Sequence, residues 1–218
     1  MQIKNNWGAG MNDFIFDVDG TLIDTEKMYM LPLHQTLLEN GYDFSYADVE
    51  KLFGITSMDT VRILGVKDPV DIQHKWFAKI KDYTQYAHVY DGIEDVVRKL
   101  HEDKSVKTAI ATSKVEAEFQ RDVIKFGLDK YFDEFVFSTE VKHGKPAPDM
   151  ILKGIEKLSA DPKKTVYIGD TKYDLQAAHA AKVKFALAGW RTEKSADFKD
   201  TDYFLETPAD LLKLLTDK

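Results

Sequence analysis

Two aspartates stand two residues apart directly after a short apolar run. The segment DVDGT (residues 17–21) follows DFIF (residues 13–16), whose consecutive apolar residues are typical of a buried strand. Alternate residues of an extended chain point to the same side, so Asp17 and Asp19 are expected to face one ligand. Gly20 allows a sharp turn and lets a phosphate approach backbone amides. Taken alone, the segment also fits an acidic turn that binds nothing.

Three later segments place polar residues after predicted strands. Thr112 and Ser113 follow an apolar run and offer hydroxyls beside the free amides of a helix start, which suit a phosphate. Lys145 lies in a loop stiffened by two prolines. Asp170 and Asp174 follow the strand VYI (residues 166–168). Singly, these residues fit helix caps and a solvated lysine, but the carboxyl ends of parallel strands would bring them together.

A pocket with four carboxylates and one lysine would carry excess negative charge. Two like charges about 4 Å apart repel by roughly 4 kcal/mol at an effective dielectric constant near 20. A hard divalent cation relieves this repulsion. Because these segments offer oxygen ligands and no histidine or cysteine ligand, the residues indicate Mg²⁺.

In type and order, these residues resemble the four motifs of the haloacid dehalogenase superfamily. The resemblance rests on Asp17, Asp19, Gly20 and Thr21, then Thr112, then Lys145, then Gly169, Asp170 and Asp174. The long interval between the first and second motifs resembles the branch with a helical cap inserted after the first motif. Phosphoglycolate phosphatase and β-phosphoglucomutase belong to that branch.

The resemblance implies a catalytic role for Asp17, Asp19, Lys145 and Asp174. Asp17 would attack phosphorus and become an aspartyl phosphate. Asp19 would protonate the leaving oxygen and then deprotonate the attacking water. Dehalogenases and phosphonate hydrolases of the superfamily lack the second aspartate, which makes both activities poor fits to this sequence.

The same resemblance implies how the phosphoryl group and Mg²⁺ are held. Gly20, Thr112, Ser113 and Lys145 would bind the phosphoryl group, with the Lys145 ammonium offsetting its charge. Ser113 stands where an asparagine is frequent, and a modest effect is expected. The metal ligands would be the Asp17 carboxylate, the backbone carbonyl of Asp19 and the Asp170 carboxylate.

Short apolar runs alternate with helical patterns along most of the chain, which predicts a doubly wound α/β fold with a parallel sheet between helices. The predicted strands are Asp13–Phe16, Val106–Ala111, Glu134–Phe137, Thr165–Ile168, Phe185–Leu187 and Tyr203–Leu205. The predicted helices are Ile93–Glu102, Val115–Phe126, Asp149–Leu158 and Tyr173–Ala181.

Residues 25–87 break this alternation with helical patterns only, and are predicted to form a helical cap. The catalytic core would then comprise residues 1–24 and 88–218, joined to the cap by hinges near residues 23–26 and 88–92. Pro32 is expected to end or kink a helix. Arg62 or His34 could contact the remote end of the substrate, but a solvated helix arginine and a core-edge histidine are the favoured interpretations.

The composition of the chain limits the classes of partner that are expected. The 218 residues carry a formal net charge of −7 and no Lys/Arg run, which argues against nucleic acid or an anionic membrane. With no cysteine, a disulfide framework and a thiol nucleophile are excluded. We expect a cytoplasmic protein that acts on a small phosphorylated metabolite, as a monomer or small homo-oligomer. The polar first ten residues precede a second methionine and are expected to lie outside the fold.

Three functions fit these residues. The first is a Mg²⁺-dependent phosphatase of small phosphomonoesters. A sugar phosphomutase shares the catalytic residues and returns the phosphoryl group to a sugar instead of water. A non-catalytic phosphoacceptor or binding module would also use aspartates, a hydroxyl, a lysine and Mg²⁺, but the second aspartate and the predicted cap count against it.

Overall fold

The structure is a computed structural model that describes residues 10–215. The expectation that the first ten residues lie outside the fold therefore falls almost wholly outside the described residues. The fold has begun by Met11, which is buried and bridges to Leu215.

Within residues 10–215, six parallel strands form the main sheet and two short strands form a separate ribbon. The strands are β1 (Asp13–Phe16), β2 (Ile23–Asp24), β3 (His88–Val89), β4 (Lys107–Thr112), β5 (Glu134–Phe137), β6 (Thr165–Gly169), β7 (Lys184–Ala188) and β8 (Tyr203–Leu205). The main sheet runs in the order β5-β4-β1-β6-β7-β8, and β2 pairs with β3.

Strand β1 lies between β4 and β6 in matched register. Phe16, its last residue, pairs with Ile110 of β4 and Ile168 of β6. Since all three strands run in the same direction, the chain leaves them at one edge of the sheet. That edge receives the segments that follow β1, β4 and β6.

Helices cover both faces of the sheet. The α-helices of the described residues are α1 (Glu26–Glu39), α2 (Tyr46–Glu50), α3 (Ser57–Ile63), α4 (Pro69–Ile80), α5 (Ile93–Glu102), α6 (Glu116–Asp122), α7 (Asp149–Leu158) and α8 (Lys172–Ala180). Phe14 and Phe16 pack in the apolar cluster with α5 and α6, whereas Ile15 packs in the cluster with α7 and α8. Successive side chains of β1 point to opposite faces of the sheet, so this strand contributes to two apolar cores, one on each face.

Short 3₁₀ helices complete the described chain. They span Lys81–Tyr86, Ile124–Phe126, Asp129–Tyr131, Ser138–Glu140, Pro162–Lys164, Ala196–Phe198 and Pro208–Leu214. The predicted helix over Val115–Phe126 is thus an α-helix followed by a 3₁₀ turn. The predicted α/β class with a parallel sheet is confirmed, with the ends of three strands shifted by one residue and those of the other three as predicted.

Helices α1 to α4 share an apolar cluster of their own, which includes Met28, Leu33, Leu37 and Trp76. Ribbon β2–β3 stands where the chain enters and leaves this segment, with Asp24 opposite His88. The division into a catalytic core and a cap stays a prediction.

Of the two alternatives predicted for Pro32, an end of the helix is wrong, because α1 continues through it to Glu39, and a kink stays a prediction. A proline inside a helix loses one backbone hydrogen bond, at a cost of about 3 kcal/mol. Its neighbours on the buried face, among them Met28, Leu33 and Leu37, are fully buried, and burial of each such side chain contributes roughly 1.5–3 kcal/mol. Packing therefore outweighs the lost hydrogen bond.

Among residues 10–215, every helix is too short or too polar to pass through a lipid bilayer.

Candidate active site

Asp17 follows β1 at the sheet edge and forms a buried ion pair. One of its oxygens, Oδ2, lies 2.8 Å from the Lys145 Nζ, and the same ammonium lies 2.8 Å from Asp174 Oδ1. All three side chains are almost completely buried. The structure thus brings together Asp17, Lys145 and Asp174, which are far apart in the sequence.

The second oxygen of Asp17 is left without a partner. Asp17 Oδ1 is buried and accepts no hydrogen bond from any described residue. Burial raises the pKa of Asp17 to about 7, and Asp174 and Asp19 push it in the same direction against the opposing charge of Lys145. Burial alone would lower the pKa of Lys145, but the charges of Asp17 and Asp174 outweigh it and raise that pKa well above its usual value.

Asp170 follows β6 and lies against the backbone of the DVDGT segment. Gly20 has a φ of +76°, and a Cβ placed on it would lie 2.2 Å from Asp170 Oδ2. A glycine is therefore needed there both for the backbone conformation and for space. Burial, followed by the charges of Asp174 and Asp17, raises the pKa of Asp170 well above its usual value.

The carboxylates meet the requirements of a divalent cation site. One oxygen each from Asp17, Asp170 and Asp174 lie within 4.8 Å of one another. Both oxygens of Asp174 are already used, because Oδ1 contacts Lys145 and Oδ2 accepts from Thr171. Asp17 keeps one oxygen without a partner, and the pKa of Asp170 is raised even though the Arg191 Nε lies 3.8 Å from its Oδ2, so these two carboxylates are the ones free to accept a metal. A hard cation with oxygen ligands fits that deficit.

Asp19 lies in different surroundings from Asp17. Its side chain is 14% exposed, and its Oδ1 lies 2.9 Å from the Lys114 Nζ and accepts a hydrogen bond from the Thr25 hydroxyl. Lys114 follows Thr112 and Ser113 in the turn after β4, and it is itself buried. The two aspartates of the segment thus have separate lysine partners.

A buried network extends from Lys114 to α1 and α6. The Lys114 Nζ donates to the hydroxyl of Tyr29 on α1 at 2.7 Å, and that hydroxyl donates to Asp122 at the end of α6. Arg121 Nη2 lies 2.6 Å from the same carboxylate of Asp122. Burial alone would lower the pKa of Lys114, but Asp19, Tyr29 and Asp122 together raise it.

The two hydroxyls at the end of β4, on Thr112 and Ser113, have contacts with protein groups. Thr112 is buried, and its Oγ1 accepts from the backbone amide of Lys114 at 3.2 Å. Ser113 donates its hydroxyl to the backbone carbonyl of Gly54, at 3.1 Å. Ser113 therefore links the sheet edge to the segment between α2 and α3.

A cavity opens in front of Asp17 and Asp19. Its lining also includes Ser113, Lys114 and Glu118, together with side chains of residues 29–77. Arg62 and His34 do not line it. Arg62 is exposed and lies 3.8 Å from Asp59, and His34 Nε2 lies 2.9 Å from the carbonyl of Phe44. These positions match the favoured interpretations of both residues as structural.

Sequence reasoning missed Lys114, Tyr29 and Asp122. Lys114 directly follows the predicted hydroxyls of Thr112 and Ser113 in the sequence, so its position after β4 could have identified it as a site residue. Tyr29 lies 85 residues from Lys114 and 93 residues from Asp122. No local pattern relates residues at such separations.

The chain is similar to known proteins over most of its length. Residues 14–188 match the family described as haloacid dehalogenase-like hydrolase. A phosphoglycolate phosphatase from Aquifex aeolicus is 33% identical over 212 residues, covering 94% of this chain and 97% of that protein. The pyrophosphatase PpaX from Halalkalibacterium halodurans is 30% identical over 217 residues, covering 94% of this chain and 97% of that protein.

A solved structure shows the same fold. The crystal structure of a protein from Lactobacillus plantarum superposes with a TM-score of 0.84 and 24% sequence identity, covering 94% of this chain and all of that one. The likeness extends to the helical segment after β2, because it spans nearly the whole chain.

Proposed function

This chain belongs to the haloacid dehalogenase-like hydrolase family, and we propose that it is a magnesium-dependent phosphatase that hydrolyses a small phosphomonoester through an aspartyl phosphate on Asp17. The single observation that carries the proposal is the state of Asp17. One oxygen of this buried carboxylate is paired with Lys145 while the other is free of partners, and Asp17 is among the residues that line the cavity. A buried carboxylate held in place with a free oxygen is placed to act as a nucleophile.

The first step forms a bond between a carboxylate oxygen of Asp17 and phosphorus. The bond from phosphorus to the leaving oxygen breaks, and Asp19 gives its proton to that oxygen. Asp19 suits this role because it borders the same cavity and is partly exposed to solvent.

The second step returns the enzyme to its starting state. Asp19, now a base, takes a proton from water as the water oxygen bonds to phosphorus, and the bond to Asp17 breaks to release phosphate. Because the phosphoryl group is highly charged in the transition state, Lys145 would contribute mainly through electrostatic stabilisation. Gly20, Thr112 and Ser113 are proposed to bind the phosphoryl oxygens.

Asp17, Asp170 and the backbone carbonyl of Asp19 are the groups that would hold magnesium, which when bound would supply positive charge to the phosphoryl oxygens. Asp174 would orient Lys145 without binding the metal, because its two oxygens already accept from Lys145, Tyr167 and Thr171.

Phosphate release from a panel of phosphomonoesters, with magnesium and with excess EDTA, tests the proposal. We expect release with magnesium, none with EDTA, and suppression by calcium, which favours a larger and looser ligand shell. Full activity in EDTA would contradict the metal requirement. Product analysis with a sugar phosphate separates hydrolysis from the phosphomutase alternative. The cytoplasmic location and the oligomeric state stay predictions.

A further inference from the structure

The cavity in front of Asp17 and Asp19 has one apolar wall. Its apolar side chains all come from residues 30–77, and they are Met30, Leu52, Phe53, Ile55, Trp76 and Phe77. The one polar atom of the Trp76 side chain is already used, because its indole N–H donates to the carbonyl of Tyr29 at 2.7 Å. The group attached to the reacting phosphate would therefore lie against rings and methyl groups.

The charged residues of this lining are predominantly acidic. Lys114 is the sole basic side chain among the described residues that line the cavity, against the three carboxylates of Asp17, Asp19 and Glu118. Its ammonium is already 2.9 Å from Asp19 and 2.7 Å from the Tyr29 hydroxyl. A second anionic group on the substrate would find no uncompensated cation here.

The hydroxyls of the lining are also engaged. Thr60 donates to the carbonyl of Thr56 at 3.0 Å, and Ser113 donates to the carbonyl of Gly54 at 3.1 Å. Ser57 Oγ accepts from the side-chain amide of Gln73 at 2.6 Å. The hydroxyl protons of Thr60 and Ser113 are therefore used inside the protein, whereas Ser57 is engaged only as an acceptor.

We infer that the substrate is a phosphomonoester whose leaving group is uncharged and largely apolar. This inference rests on the proposed phosphatase function and narrows its substrate class. A second anion close to phosphorus, as in pyrophosphate or phosphoglycolate, would lose its hydration beside acidic groups without gaining a cation. An apolar leaving group gains from burial against the same wall. The substrate class thus differs from those in the names of the two relatives.

The inference can be tested by measuring the affinity for phosphonates. The enzyme cannot cleave their phosphorus–carbon bond, so the affinity does not depend on how readily the leaving group departs. Binding of benzylphosphonate and of phosphonoacetate to the magnesium-loaded protein is measured by calorimetry. We expect benzylphosphonate to bind at least about tenfold more tightly, a difference of about 1.4 kcal/mol. Equal affinity, or tighter binding of phosphonoacetate, would overturn the inference.

A cation introduced into the apolar wall should shift this preference. Ile55→Lys is expected to reduce the ratio of the two affinities by about tenfold or to reverse it, whereas Ile55→Met, the matched control, keeps the wall apolar and should retain the ratio. Leu52→Lys serves as a second variant, and circular dichroism checks that each variant is folded. An unchanged ratio in a folded lysine variant would overturn the inference.

Hydrolysis distinguishes the failure of this inference from the failure of the proposed function. Benzyl phosphate and phosphoglycolate are both esters of primary alcohols, and kcat/KM is expected to be at least tenfold higher for benzyl phosphate. Higher kcat/KM for phosphoglycolate or pyrophosphate would overturn the inference and leave the phosphatase function standing. Phosphate release from none of the esters would contradict the function itself, while the phosphonate affinities would still decide the preference of the cavity.

Discussion

Asp17 and Asp19 are close in sequence but differ in surroundings. Asp17 is buried and paired with Lys145, whereas Asp19 is partly exposed and paired with Lys114. Separate lysine partners allow the two carboxylates to take different roles, since the charge on each is offset locally.

Replacement of each aspartate should separate these roles. Asp17→Asn should abolish turnover and leave no hydroxylamine-sensitive phosphoryl label on the protein, because the nucleophile is lost. Asp19→Asn should slow each proton transfer by about 10²- to 10⁴-fold. With an activated aryl phosphate, whose leaving group needs no proton, Asp17 should still become labelled and the label should persist. Mass spectrometry locates the label, and a label on another residue would refute the mechanism.

The Asp170 carboxylate is buried beside Asp17 and Asp174, and Arg191, whose Nε lies 3.8 Å from its Oδ2, offsets its charge only in part. Without metal, Asp170→Asn should stabilise the protein by on the order of 1 kcal/mol, or raise Tm by about 2–4 °C, because it removes a buried charge repelled by Asp174 and Asp17. With magnesium, the same variant should lose most of the metal-induced rise in Tm. Thermal unfolding with EDTA and with magnesium measures both effects.

The exposed Asp200 provides the control for this variant. Asp200→Asn also removes one negative charge but should leave both Tm values nearly unchanged. Equal metal-induced stabilisation in Asp170→Asn and the parent protein would show that Asp170 does not hold the metal.

Several candidate site residues could be predicted because they stand at or directly after the end of a strand. Asp17 and Asp170 directly follow β1 and β6, and Thr112 is the last residue of β4; because the ends of these strands are aligned by register, a one-dimensional pattern locates the three residues in space. Lys114 and Tyr29 could not be paired in the same way. Their contact depends on how α1 packs against the turn after β4, which no periodicity in the sequence encodes.

The turn after β1 depends on a glycine for two separate reasons. Gly20 has a positive φ, and its missing side chain leaves the space that Asp170 fills. Gly41, after α1, also has a positive φ, but a Cβ there would meet no atom within 4 Å. An alanine substitution at Gly41 therefore measures the cost of the left-handed conformation alone, whereas the same substitution at Gly20 adds the cost of the clash with Asp170.

Gly20→Ala should destabilise the protein more than Gly41→Ala and should also impair metal binding. Alanine in the left-handed region costs about 1–2 kcal/mol at either position. At Gly20 the added methyl group also displaces the Asp170 carboxylate, so the affinity for magnesium should fall. Calorimetric titration with magnesium measures that affinity, and an unaltered affinity in Gly20→Ala would contradict the placement of Asp170 at the metal.

Helix α1 contributes Tyr29 to the network that holds Lys114 against Asp19. Tyr29→Phe removes a hydroxyl bonded to both Lys114 and Asp122, and it should destabilise the protein by about 1–3 kcal/mol. The value of kcat should fall less than in Asp19→Asn, because the acid remains but is held less firmly. Urea unfolding and steady-state kinetics measure the two effects.

Tyr83 is the matched control, since its hydroxyl contacts Gln35 on the exposed side of α1. Tyr83→Phe should change stability by less than about 0.5 kcal/mol and leave kcat unaffected. Equal effects of the two substitutions would show that the buried network has no special role.

Patterns in the sequence predicted most elements but not their continuity. Local propensity predicts that a helix ends or kinks at Pro32, because it gives no weight to the apolar cluster around Met28 and Leu33, and the helix does not end there. The end of the predicted helix at Phe126 became a 3₁₀ turn for which the apolar spacing gave no warning. In both cases tertiary packing decided the local structure.

The apolar clusters of the described residues correspond in sequence position to the predicted core and the predicted cap. Two clusters lie on the faces of the main sheet, and a third is formed within residues 28–80. Ribbon β2–β3 joins the third to the sheet, with Ile23 opposite Val89. Such an arrangement favours movement of the helical segment as a unit on the ribbon, which would admit substrate when open and exclude water when closed.

Removal of the helical segment should separate cleavage from selectivity. Asp24 and His88 are paired across the antiparallel ribbon, so an Asn-Gly turn can replace residues 25–87 without disturbing the main sheet. Because Asp17, Lys145 and Asp170 all lie outside the deleted residues, the shortened protein should still cleave an activated aryl phosphate. It should lose the difference in kcat/KM between benzyl phosphate and phosphoglycolate, because the apolar wall of the cavity is gone.

Asp17→Asn in the shortened protein is the control for residual catalysis, and circular dichroism checks its fold. Selectivity that persists after the deletion would show that the main sheet and its loops, and not the helical segment, discriminate between substrates.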